Sequence, residues 1–154
     1  MIVIMRHGAA QCSCDSDFNR RLTADGIADV RKRAEYLRLQ NITFDLVMVS
    51  PYIRTLQTLE IIREAVGISE VSITRELVPS ADSGIADYLR VLHDEGKKVL
   101  VISHMPLVGM LVRELAGNHL SGFMNPADLN ILDSNGDGEK LKVIYSTNCY
   151  DLNA

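Results

Sequence analysis

Two uninterrupted apolar runs constrain this chain more than any other feature: Ile2-Val3-Ile4-Met5 at its start and Val99-Leu100-Val101-Ile102 far downstream. A strand that is apolar on both faces must be covered on both, so each run reads as an interior strand of a parallel sheet held between helices. Each also ends on a histidine. Arg6-His7-Gly8 follows the first run, and Ser103-His104 follows the second, with Pro106 close behind. Gly8 can take a backbone conformation closed to other residues, and it leaves no side chain against an anion approaching His7.

The intervening segments read as the helices and strands such a sheet needs. Thr23 is an N-cap with Asp25 in the first turn, Leu22 and Ile27 form a hydrophobic staple, and Ile27, Val30, Ala34 and Leu37 share one face of a helix ending near Asn41. Residues 44–49 form a third apolar run. Ser50-Pro51 then signals an N-cap and a first helical residue, which puts Arg54 in the first turn of a helix stopping at Gly67 as its C′ residue. A weaker strand over 71–74 leads into Arg75-Glu76-Leu77-Val78-Pro79. Ile85, Leu89 and Leu92 recur at helical spacing before Gly96, Pro106 opens a helix over 107–115, and residues 129–132 and 141–145 flank a Gly/Asn/Asp turn as a hairpin. The expected fold is α/β: a single domain over residues 1–154, three-layer α/β/α, with a mostly parallel sheet and a C-terminal hairpin.

Composition narrows the function classes. A formal net charge of −4, with Lys and Arg scattered along the expected helices, gives no basic face for holding nucleic acid by counterion release. No apolar run approaches the roughly 18 residues of a membrane span, and the start of the chain lacks the basic and long apolar regions of an export signal. Cys12, Cys14 and Cys149 are odd in number, and Cys-Ser-Cys lacks the two-residue spacing of common zinc knuckles, so reduced thiols and a cytoplasmic location are expected.

In an open α/β sheet, residues leaving the carboxyl ends of the strands share one edge, where ligands bind. Arg6, His7, Ser50 with Arg54, Glu76 and His104 all fall there. Guanidinium forks match phosphate oxygens and stay charged at any relevant pH, which makes Arg6 and Arg54 a phosphate clamp. A helix beginning near Pro51 points its positive dipole end at the same anion. Neutral imidazole is a competent nucleophile toward phosphorus, a role assigned to His7, and His104 then stabilises the charge of the in-line transition state.

Arg6-His7-Gly8 after an N-terminal strand, Ser50-Pro51-Tyr52-Ile53-Arg54-Thr55-Leu56-Gln57-Thr58, and Ser103-His104 ending a late strand together resemble the histidine phosphatase superfamily. Arg20-Arg21-Leu22-Thr23, Glu76-Leu77-Val78-Pro79, the segment from Val101 through Val108 and the short length resemble its SixA-type phosphohistidine phosphatase branch. The resemblance runs in order from residue 2 to about residue 117. It implies a phosphoglycerate mutase-like fold and a metal-independent phosphatase without cofactor. It also implies a phosphohistidine intermediate at His7, a phosphate pocket completed by Arg6, Arg54 and His104, and a phosphohistidine-bearing signalling or phosphotransfer protein as substrate. Larger members roof the site with an insertion, and residues 74–99 leave no room for one. The chain departs from the branch at Ala9, often acidic there, and at Arg21, usually proline. Glu76 is the carboxylate placed to act as general acid, or else a surface residue. Two alternatives stay open: a phosphatase of small phosphomonoesters, and a phosphoprotein-binding module without catalysis.

Other signals carry less. Asp133-Ser134-Asn135-Gly136-Asp137-Gly138 matches the first half of a calcium loop, but position twelve is Ile144 rather than Glu, so it reads as a hairpin turn. His93 and His119 read as solvated, and Met105 and Met110 as core. Cys12 and Cys14 read as part of a polar loop near His7.

Overall fold

The structure, a computed structural model, describes residues 1–134 and 141–148. Six strands form one sheet in the order β3-β2-β4-β1-β5-β6, made of β1 (Ile2–Arg6), β2 (Phe44–Val49), β3 (Ile68–Ile73), β4 (Val99–Ser103), β5 (Leu129–Asp133) and β6 (Lys142–Ser146). The first four in chain order are mutually parallel, β5 lies antiparallel to β1, and β5 with β6 is the expected hairpin. Its turn, residues 135–140, and with it most of the calcium-loop match, lies outside the described residues, as does Cys149.

Period-two alternation sorts the apolar runs onto two cores. Ile2, Ile4, Val99 and Val101 face α3 (Ile85–Asp94) and α4 (Leu107–Ala116), while Val3, Met5, Leu100 and Ile102 face α1 (Ala24–Leu39) and α2 (Ile53–Ala65). All eight strand side chains are fully buried. At about 1.5–3 kcal/mol for each buried aliphatic side chain, this double-sided burial is what fixes β1 and β4 at the centre. The chain leaves β1 toward β2 and β3 and returns to insert β4 beside β1, so the two central strands bound a topological switch point. Arg6 pairs with Ser103 across them, which puts His7 and His104 side by side just past two neighbouring strand ends.

Several local expectations change. Thr23 caps α1 through its side chain on the Gly26 amide, but Ile27 is only half-buried, and Gly26 joins Val30, Ala34 and Leu37 on the inner face. The second helix begins at Ile53 with Tyr52 at its N-cap rather than at Ser50. The Thr55 hydroxyl donates to the Ser50 and Tyr52 carbonyls at 2.8 and 2.7 Å, while the Ser50 hydroxyl lies within hydrogen-bond distance of His104. At the other end Val66 is already extended, with φ −129°, and Gly67 runs directly into β3 without a left-handed C′ turn. Met110 is exposed rather than core, and Met105 is half-buried. His93 is not solvated: its side chain is mostly covered, and Nε2 pairs with Asp133 Oδ1 at 3.0 Å.

Gly8 does not use the backbone freedom expected of it, because its φ is not in the left-handed region. A Cβ there would lie 2.7 Å from Val30 Cγ2 and 2.9 Å from the Gly26 carbonyl. A Cβ on Gly26 would lie 2.1 Å from the Ala9 carbonyl. The two glycines let α1 press against the chain leaving β1, and that contact sets where His7 stands.

Candidate functional site

His7 follows the last residue of β1, and its backbone amide donates to the Ser103 carbonyl at 3.0 Å. The ring is buried, and Nδ1 lies 2.7 Å from the Gly8 carbonyl oxygen. A carbonyl only accepts, so Nδ1 carries the proton and Nε2 is left with its lone pair. Arg54 Nε donates to that Nε2 at 3.2 Å. The ring's pKa is pushed down to about 4, first by burial and further by the charges of Arg54, Arg6 and Arg20, with the Gly8 bond opposing. At neutral pH His7 is an uncharged imidazole with one defined nucleophilic nitrogen.

Arg54 lies in the first turn of α2, as the sequence predicts, and is buried. With Nε facing His7, its other nitrogens are held by a residue the sequence did not single out. Asp17 accepts from NH1 through its backbone carbonyl at 2.7 Å and from NH2 through Oδ2 at 3.2 Å. Asp17 also takes Arg20 NH1 on Oδ1 at 2.9 Å. Arg20 and then Arg54 hold its carboxyl below the usual carboxylate range. Thr58, one turn after Arg54 on α2, accepts the Gly8 amide at 3.1 Å and donates to the Arg54 carbonyl at 2.8 Å, stapling the helix to the end of β1.

His104 is the partner across the switch point. Its ring meets that of His7 edge-on, with centroids 5.1 Å apart, and Nε2 lies 2.8 Å from Ser50 Oγ. Burial first, then the neighbouring His7 and Arg54, lowers its pKa to about 3, so this ring too is neutral at pH 7. Its Nδ1 is buried without a hydrogen-bond partner among the described residues, and so is Arg6 Nε. Arg6 is anchored elsewhere by NH1 on the Met124 carbonyl at 2.8 Å. Burial draws its pKa down while Asp128 acts in the other direction. Arg6 Nε is a donor, and a buried unpaired donor costs about 1–3 kcal/mol, a penalty that an anion's oxygens can relieve.

The structure thus brings together four of the five predicted site residues, Arg6, His7, Arg54 and His104. Glu76 lies on a short 3-10 turn, Arg75–Leu77, following β3, where the next residue, Leu77, accepts the Ser103 hydroxyl on its carbonyl at 2.7 Å. The Glu76 side chain is exposed, borders a shallow depression with Ser80, Asp82 and Gly84, and makes no hydrogen bond or ion pair with the other four. Sequence reading missed Asp17, Arg20, Thr58, Tyr52 and the role of Ser50. Thr58 had a signal in its spacing of four from Arg54 on one helix face, whereas Asp17 lies in a loop without periodicity.

A neutral imidazole backed by guanidiniums at the switch point of an α/β sheet defines the class: a histidine-centred site for a phosphoryl group. The chain belongs to the histidine phosphatase superfamily, branch 1, whose family model matches residues 2–78. It is 40% identical over 142 residues to the phosphohistidine phosphatase SixA of Escherichia coli strain K12, covering 89% of this chain and 88% of that one. It is 34% identical over 153 residues to a SixA homolog of Haemophilus influenzae, covering 93% and 92%. The solved structure of the protein histidine phosphatase SixA complexed with tungstate superposes with a TM-score of 0.84 at 35% identity, over 94% of each chain.

Proposed function

We propose that this chain is a phosphohistidine protein phosphatase that works through a covalent phosphohistidine at His7, with Arg6, Arg54 and His104 binding the phosphoryl group. The observation that carries the reading is the Nδ1–H of His7 fixed on the Gly8 carbonyl, with Nε2 facing Arg54. In the first step Nε2 attacks phosphorus in line and the P–N bond of the substrate imidazole breaks. A substrate ring protonated on its second nitrogen departs as neutral imidazole and keeps that proton.

His7 then carries the phosphoryl group on Nε2 and its original proton on Nδ1, an imidazolium that is again a good leaving group. Water attacks phosphorus, the new P–N bond breaks, and His7 returns as the same neutral tautomer. Both departing groups are imidazoles already protonated, so the cycle asks little of a separate acid. That balance suits a phosphoramidate better than an alkyl phosphate, whose alkoxide needs a proton, and it fits an exposed Glu76. Arg6 and Arg54 supply charge-assisted bonds to the equatorial oxygens, and His104 adds a neutral donor beside them.

The identities to SixA from two bacteria and the short segment over the site support a protein-borne phosphohistidine of a signalling or phosphotransfer protein as substrate. Among the described residues no helix is long and apolar enough to cross a membrane, and the exposed thiols of Cys12 and Cys14 suit the reducing cytoplasm, where we place the protein. The test is phosphate release from a protein phosphorylated on histidine. Wild type releases it and His7→Ala does not. Equal release by both overturns the reading.

A further inference from the structure

Outside the groups that hold phosphate, the mouth of the site carries a chain of aromatic rings. Phe18 is the middle residue of the 3-10 turn Asp17–Asn19, directly after the residue that clasps Arg54, and is 41% exposed. Its ring lies 5.0 Å from that of Tyr52 at 51°. Tyr52 in turn meets His104 edge-on at 5.0 Å and 70°, and has the Arg54 guanidinium carbon 4.9 Å from its ring centre. The series Phe18, Tyr52, His104, His7 thus runs from solvent to the attacking nitrogen in steps of about one ring. Charge and hydrogen bonding, to Arg54 and to each other, account for Asp17 and Arg20 in this loop, but they give Phe18 no task.

We propose that Phe18 and Tyr52 form an aromatic ledge that stacks against the ring of the leaving group, so that the site favours phosphoryl groups carried on an imidazole over those carried on a ringless nitrogen. The inference rests on the phosphohistidine reading and adds a specificity-determining surface to it. An in-line displacement sends the leaving nitrogen away from His7, and Phe18 is the exposed end of the ring series that leads out from it. A planar, partly cationic imidazole packs well on aromatic faces, through stacking and cation–π attraction. Ammonia or an alkylamine offers no face to pack. Phe18 supplies the exposed end of the ledge, and Tyr52 supports it against the site histidine.

Phosphoimidazole and phosphoramidate present the same phosphoryl group on a ring and on a bare nitrogen. Phe18→Ala is expected to lower the ratio of kcat/KM for phosphoimidazole to that for phosphoramidate by about two- to tenfold, the range of one aromatic pair, mainly through KM. Phe18→Tyr restores the ratio, and Leu39→Ala, an exposed apolar residue at the far end of α1, leaves it alone. Equal losses on both compounds would mean that Phe18 acts only through Asp17 and Arg54, and would overturn the ledge. An unchanged ratio overturns it as well. A wild-type chain that releases phosphate from a phosphohistidine protein but hydrolyses neither compound overturns the ledge alone, and one that acts on none of the three overturns the proposed function with it.

Discussion

The ends of β1 and β4 offer the same element to the same site, a histidine one position past a buried parallel strand, and the fold treats the two differently. At β1 the backbone fixes the tautomer: Nδ1 is bound to the Gly8 carbonyl and Nε2 is turned toward Arg54. At β4 the ring is steered by a side chain, Ser50, and Nδ1 is left without a partner among the described residues. The first arrangement suits the nucleophile proposed here, because Nδ1 holds the proton and Nε2 keeps its lone pair. The second suits the donor proposed here, one that can exchange the Ser50 hydroxyl for a phosphoryl oxygen. The two rings are the same residue type, and the partners of their nitrogens are what sets them apart.

The contrast is broken most sharply by truncating each ring in turn. His7→Ala is expected to lower turnover of a phosphohistidine protein by roughly 10⁴-fold or more, since the covalent route is lost. His104→Ala loses one donor to the transition state and is expected to cost on the order of 10²–10³-fold. Equal losses in single-turnover kinetics would erase the distinction between the two rings.

Asp17→Asn keeps an acceptor beside Arg54 but removes the charge that holds Arg54 and Arg20 together. A fall in kcat/KM of about tenfold is expected, the size of a modest misplacement of a clamp. Tungstate affinity, read by calorimetry, is expected to weaken with it. Glu76→Gln is expected to cost less than about threefold on a phosphoramidate, because the leaving imidazole brings its own proton. Abolished turnover would give Glu76 the acid's role and favour a phosphomonoester substrate.

The smallest signal is a titration. His7 has its pKa lowered to about 4 and His104 to about 3, both by burial first. Each ring is neutral in the fold where a free imidazole, near 6.5, would already be protonated. The unfolded chain therefore binds more protons as pH falls below 6.5, and stability drops through that window until the folded rings protonate near 4 and 3. Ring resonances followed by NMR are expected to leave His7 uncharged at pH 5.5. A midpoint near 6.5 for His7 would remove the buried neutral nucleophile.

Arg6, His7, Arg54 and His104 were legible in the sequence because each stands where local patterning changes abruptly, at the end of an apolar strand or the start of a helix. The two cores were legible for a related reason: alternation in residues 2–5 and 99–102 assigns every side chain to a face. Asp17 and Phe18 were not, because the stretch from 11 to 21 has no periodicity and its contacts are made with groups distant in sequence. Ser50 was misread because Ser-Pro resembles a helix start, while its hydroxyl is used by a histidine 54 positions away. Gly8 and Gly26 show the same limit. Glycine signals backbone freedom in a sequence, but at both positions the space for a Cβ is taken by the neighbouring element.

The proposed route carries phosphate through a bond to His7 Nε2. The most direct measurement is to mix the protein with a ³²P-labelled phosphohistidine protein, quench in alkali within a turnover, and map the labelled peptide. Alkali-stable label is expected on the peptide containing His7, and none in His7→Ala. Steady release of phosphate with no label on this chain, or with label on another residue, contradicts it.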